Sequence, residues 1–202
     1  MTAVVDVWLV DTRTPFESAL DEPERRRRDA LRRAEDRRRF DAAHSALRRI
    51  LEPRVGPVRW RRGPNGKPHL AGEPCQVNLS HAGEWAAIAV THARPVGVDL
   101  QDAVAGLDYT AMARRFFPPA EAEFVAARGP EAFALLWARK EAVVKAAGDR
   151  LTRGLLLPVA GDPPPAVTHD GTGYTLADLE APEGFRAAVA LAGPEPFSIR
   201  RH

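Results

Sequence analysis

Ala86-Ala87-Ile88-Ala89-Val90 and, after a short turn, Pro95-Val96-Gly97-Val98-Asp99 are answered without a gap 101 residues later by Ala187-Ala188-Val189-Ala190-Leu191 and Pro196-Phe197-Ser198-Ile199-Arg200. Each pair reads as strand, turn, strand, and the offset is half of the 202-residue chain, so two similar halves are expected. The competing explanation is chance, since Ala- and Val-rich strands resemble one another easily. The copies part at their last position, where Asp99 in the first is Arg200 in the second. Chemistry built on a carboxylate there should occur once per chain, near the junction of the halves.

Working outward, Val4 to Val10 reads as a strand. Glu24 to Leu51 reads as one or two Arg-rich helices with Leu31, Phe40, Leu47, Ile50 and Leu51 as candidate buried positions. Gly63-Pro64-Asn65-Gly66 is turn chemistry separating short strands around Val58 to Arg61 and Lys67 to Leu70. Helices are expected around Tyr109 to Phe117, after Pro119, and from Pro130 to Ala147, proline being tolerated in a first turn because its missing N–H has no partner there. Strands followed by helices, twice, predict an α+β (α/β) fold, a pseudo-dimer of two similar α/β halves over residues 1–103 and 104–202.

Composition excludes several classes. Apolar residues make up 45% of the chain, enough for a sizeable core. No apolar run approaches the roughly 18 residues of a membrane span, and the N-terminus lacks the pattern of a secretory signal, so a cytoplasmic protein is expected. A single cysteine, Cys75, rules out an internal disulfide and a cysteine-rich zinc site. The net charge of +2 conceals eleven arginines between Arg25 and Arg49, where a polyanion could sit. A nucleic-acid or other polyanion-binding module is therefore a competing reading. Against it, Asp29, Glu35, Asp36 and Asp41 interrupt the run and no recognised nucleic-acid motif accompanies it.

Three segments could carry chemistry. In Val96-Gly97-Val98-Asp99-Leu100-Gln101, strand periodicity sends Gly97, Asp99 and Gln101 to one face, offering the oxygen ligands that Mg²⁺ accepts. The plain alternative is the solvent face of an edge strand. Trp137, Glu141 and Lys145 share a helical stripe, where a simple exposed ion pair would contribute only about 0.3–0.5 kcal/mol. Asn78-Leu79-Ser80-His81-Ala82-Gly83 places a hydroxyl and an imidazole in an expected turn suited to phosphate oxygens. It fails as a hydrolase nucleophile, for adjacent residues rarely reach triad geometry and no Gly-x-Ser-x-Gly elbow is present.

The order of these segments, with Gly66-Lys67-Pro68 ahead of them and Arg115-Phe116-Phe117 between them, resembles the 4′-phosphopantetheinyl transferase superfamily, in its longer surfactin-synthetase-activator (Sfp-like) type, over about Arg25 to Leu151. The resemblance implies an active site at the interface of the halves and transfer of the 4′-phosphopantetheine arm of coenzyme A to a serine of an apo acyl- or peptidyl-carrier protein. It implies that Asp99 and Glu141, with Gln101 beside them, hold Mg²⁺ or Mn²⁺ in its place. Glu141 or a metal-associated water would deprotonate the serine, and Lys145 would neutralise or protonate the departing phosphate. Arg39, Arg27, Arg48, Lys67, Pro68, Ser80, His81 and Lys140 are the implied coenzyme A contacts, with His81 on the 3′-phosphate. A monomer, a basic surface for an acidic carrier, and a role in polyketide or nonribosomal peptide biosynthesis are further implications; neither nucleic acid nor membrane is an expected partner. Where relatives often carry Glu two residues after the Asp, this chain has Gln101, and their Gly-x-Gly-Leu is Gly148-Asp149-Arg150-Leu151 here. A relative that has lost the activity is the remaining alternative.

Overall fold

The computed structural model describes residues 2–63, 65–72, 74–103 and 107–202. Pro64 of the expected turn and residues 104–106, next to the expected boundary between halves, lie outside the described residues. The elements run β1 (Ala3–Asp11), α1 (Glu22–Asp29), α2 (Ala34–Val55), β2 (Trp60–Arg62), β3 (Pro68–Leu70), β4 (Gln76–Ala82), β5 (Trp85–Thr91) and β6 (Val96–Asp102). They continue with α3 (Tyr109–Phe116), α4 (Pro119–Arg128), α5 (Pro130–Ala147), a 3₁₀ turn, β7 (Val167–His169), β8 (Thr172–Leu179), β9 (Phe185–Ala192) and β10 (Phe197–Arg201). This is a mixed α+β architecture, as expected.

Local chemistry sets the helix limits. Asp21 accepts a hydrogen bond from the Glu24 N–H while the Glu24 carboxylate accepts from the Asp21 N–H, a reciprocal cap that starts α1. Gly129 at φ +80° followed by Pro130 separates α4 from α5, and Gly148 at φ +70° closes α5 in the left-handed conformation that a side chain disfavours.

Two sheets, β10-β1-β5-β4 and β6-β9-β8-β7, pack face to face. The repeated strand-turn-strand units cross between them. β5 lies in the first sheet but β6 pairs with β9 in the second; β9 lies in the second but β10 pairs in parallel with β1 in the first. Val96, Val98 and Leu100 point into the core between the sheets, with Val5, Val7, Ala87 and Val189, as the alternation predicts. The opposite face of β6 is covered by α5. A Cβ on Gly97 would lie 2.0 Å from the Ala142 carbonyl oxygen and 2.4 Å from the Ala146 nitrogen, so only glycine lets the helix come this close.

The structure corrects one local expectation. Asn78 to Ala82 forms strand β4, paired in register with β5, and not a turn; the turn is confined to Gly83 and Glu84. Pairing with β5 outweighs the local turn chemistry of Asn, Ser and Gly. Strands β7 and β8 complete the second sheet in a region without a clear strand periodicity.

Candidate functional site

β4, β6 and α5 bring the three sequence segments together. Asp99 is 4% exposed, and its Oδ1 accepts hydrogen bonds from Ser80 Oγ at 2.7 Å and Lys145 Nζ at 2.6 Å. Lys145 Nζ also donates to Ser80 Oγ at 2.9 Å. The other Asp99 oxygen, Oδ2, is buried without a hydrogen-bond partner among the described residues. Such an orphaned anionic oxygen is costly unless a cation or donor meets it. Burial pushes the Asp99 carboxyl above its usual range even though the Lys145 ammonium pulls the other way. Glu141, half-buried one turn before Lys145, is likewise raised, first by burial and then by the Asp99 charge, with Lys145 opposing. Two carboxylates within electrostatic reach, one with a bare oxygen, form a donor set that fits a hard divalent cation. Gln101 Nε2 turns to Asp102, donating to its carbonyl at 3.1 Å and its side chain at 3.2 Å.

β4 links this pair to a cavity of about 250 Å³. Leu47, Trp60, Pro68, Val77 and Leu79 give it apolar walls, and Arg27 and Arg62 bring cations. Asn78 lines it too, and its Oδ1 accepts from the Val98 N–H at 2.9 Å, fastening β4 to β6. His81 stands at the solvent-facing end of β4. Crowding that strips water from its ring, followed by the nearby Lys145, His44 and Arg39, holds the imidazole below its ordinary value. Cations gather here around a side chain that carries no negative charge.

The arginines divide. Arg27 is exposed with its guanidinium over the Phe40 ring at 5.4 Å. Arg39 Nη2 lies 2.6 Å from Glu84 and is also paired with Glu35. Arg48 is 5% exposed and serves the interior: it ion-pairs with Glu24 at 2.5 Å and with Asp21. Glu24 additionally accepts from Trp60 Nε1 at 3.2 Å, so one buried carboxylate organises the floor of the cavity. His44 Nδ1 lies 3.4 Å from Glu24 but lacks hydrogen-bond geometry. Burial opposes the charge of Glu24, yet the neighbouring His44 ring and the hydrogen bonds from Arg48 and the Asp21 N–H hold its carboxyl down at about 2.

Lys140 lies apart from the cavity lining. It is fully buried, ion-paired with Glu121 at 2.5 Å and donating to the Leu157 carbonyl; Glu121 in turn accepts from the Val159 N–H at 2.6 Å and the Ala160 N–H at 2.8 Å. Its task is to fix the chain after α5. Lys67 Nζ reaches backbone carbonyls of Ala146 and Val96. Phe117 is buried and stacks on Phe133 at 5.1 Å, while Phe116 is half-buried.

Glu24, Glu84 and Glu121 were not foreseen as organising residues, because each works through partners 19 to 72 positions away in sequence. Only the Asp21-to-Glu24 cap spacing was visible. Asp149, His169 and Asp170 also cluster, but Arg153 is ion-paired to Asp149 at 3.3 Å and Asp170 at 2.7 Å, so a cation of the protein's own already serves them.

The 4′-phosphopantetheinyl transferase superfamily model matches residues 95–184. The chain is 32% identical to the 4′-phosphopantetheinyl transferase HetI of Nostoc sp., over 94% of this chain and 88% of that protein. It is 29% identical to a putative 4′-phosphopantetheinyl transferase of Synechocystis sp., over 74% of this chain and 67% of the relative. A 4′-phosphopantetheinyl transferase of Bacillus pumilus is 38% identical over 58% of this chain and 50% of its own length.

Proposed function

The chain belongs to the 4′-phosphopantetheinyl transferase superfamily, and on that premise we propose that it transfers the 4′-phosphopantetheine arm of coenzyme A to a serine of an apo acyl- or peptidyl-carrier protein. The observation that carries the site assignment is the bare, buried Oδ2 of Asp99 beside Glu141. Asp99 and Glu141 would hold Mg²⁺, which when bound neutralises pyrophosphate charge. Gln101 offers an amide oxygen or a water-mediated contact in place of a third carboxylate.

In the reaction the serine oxygen forms a bond to the phosphorus nearer the pantetheine, and the bond from that phosphorus to the bridging oxygen breaks, releasing 3′,5′-ADP. Glu141 takes the serine proton, a role that its raised pKa supports. Lys145, whose ammonium sits between Ser80 and Asp99, faces the departing phosphate and neutralises it. The cavity walled by Trp60, Pro68 and Leu79 takes the nucleotide end, with Arg27 and Arg39 supplying positive charge for its phosphates and His81, held toward its neutral form, a ring N–H.

We further assign the chain to the longer, surfactin-synthetase-activator type: a monomeric pseudo-dimer with its halves at residues 1–103 and 104–202. The hairpin repeat and its exchanged strands support that reading. Among the described residues no helix is long and apolar enough to cross a membrane. The test is intact-mass spectrometry of an apo carrier protein incubated with the enzyme, coenzyme A and Mg²⁺. A gain of one phosphopantetheine unit is the expected result, lost in Glu141→Ala; no gain across acyl- and peptidyl-carrier types would favour a member that has lost the chemistry.

A further inference from the structure

The turn between β2 and β3 faces two ways. Trp60, Arg62 and Pro68 of this hairpin wall the cavity. The Lys67 side chain runs instead along the end of α5, its Cδ 3.3 Å from where a Cβ on Gly148 would stand. Its ammonium donates to the Ala146 carbonyl at 3.0 Å and the Val96 carbonyl at 3.3 Å. Ala146 belongs to the helix that carries Glu141 and Lys145, and Val96 to the strand that carries Asp99.

These two acceptors flank the point of closest approach. Gly97, next to Val96, is where α5 comes down on β6, and the clash its Cβ would make involves Ala146 itself. The last four carbonyls of a helix lack partners within it and carry its negative dipole end, so a lysine there is doubly suited. Gly148 and Asp149 N–H groups take the Lys145 and Val144 carbonyls, and Lys67 takes that of Ala146. Asn65 Nδ2 adds a second tie at 3.0 Å, to the Gly148 carbonyl.

We propose that Lys67 is a positioning residue, locking the C-terminal end of α5 to the start of β6 and so setting the separation of Asp99 and Glu141. Because it rides on the hairpin that walls the cavity, it also couples that cavity to the carboxylate pair. The inference deepens the transferase reading and rests on it for the meaning of the pair. It assigns the Lys67 ammonium to the protein's own backbone, not to coenzyme A.

The experiment compares wild type, Lys67→Met and Asn65→Ala as full chains, by Mn²⁺ titration calorimetry on metal-free protein and by steady-state kinetics at saturating metal. Lys67→Met should weaken Mn²⁺ binding about tenfold, the usual scale for supporting residues of a metal site, and lower kcat while leaving the KM for coenzyme A within about twofold. Asn65→Ala should move both quantities in the same direction by less, and it carries the test if Lys67→Met does not fold. A raised KM with unchanged Mn²⁺ affinity would make Lys67 a substrate contact and overturn the proposal, as would no change in either quantity. Amide exchange at Ala147 to Asp149, read without metal or substrate, keeps the two readings apart. Faster exchange in Lys67→Met beside a wild type that neither binds Mn²⁺ nor turns over sinks the transferase reading and keeps the clamp.

Discussion

The strand-turn-strand units β5–β6 and β9–β10 share a pattern and differ in what covers them. On the first, Asp99 is buried under α5 with a bare oxygen; on the second, Arg200 at the equivalent position is exposed and ion-paired with Asp6. Gly97 admits the helix over β6, while Ser198, its counterpart on β10, is exposed. A missing side chain let a helix close over one strand, and burial then raised the pKa of its carboxylate.

That comparison breaks most sharply at the glycine. Gly97→Val forces a side chain into the backbone of α5 and should cost about 4 kcal/mol or more by denaturant unfolding. Ser198→Val, on an open surface, should change stability by less than about 0.5 kcal/mol. Equal costs would mean that α5 does not rest on β6 as described. One step along each strand, Asp99→Ala should lower turnover about a thousandfold with the fold retained, whereas Arg200→Ala should leave it within about twofold. Carrier loading followed by mass spectrometry reads both.

A buried ion pair lies on either side of the chain's midpoint, Glu24 with Arg48 and Glu121 with Lys140. Removing one partner of such a pair leaves a buried charge, so Glu24→Gln should cost about 3 kcal/mol at pH 7. The Glu24 carboxyl is depressed from 4.5 to about 2. Its contribution is therefore present above pH 4.5 and lost as the pH falls from there toward 2. Thermal unfolding of wild type and Glu24→Gln should converge over that window; a gap independent of pH would show that the side chain's packing, not its charge, is what matters.

Much of this was legible beforehand, for identifiable reasons. The span of α5, from Pro130 to Ala147, was marked by a proline at one end and a glycine at the other. The alternation in Val96 to Gln101 separated core from site face because strand side chains keep a strict period of two. Ser80 and His81 were placed in a turn because local composition says nothing of β5, the strand that pairs with them. Arg48 read as a free cation because its anions are Asp21 and Glu24, 27 and 24 positions away. The β7–β8 hairpin lay in Pro- and Asp-rich sequence with little apolar alternation, and its place depends on β9. Long-range pairing is what periodicity cannot report.

The crossed strand-turn-strand units resist any attempt to divide the molecule. β6 has its sheet partner in β9, and β10 has its sheet partner in β1, so cutting the chain at its midpoint would strand one ribbon on each fragment with its hydrogen-bonding edge bare. Each fragment would hold the missing edge of the other. In the intact chain the two stretches are clasped like two hands, and Asp99 sits on a finger of one held in the palm of the other.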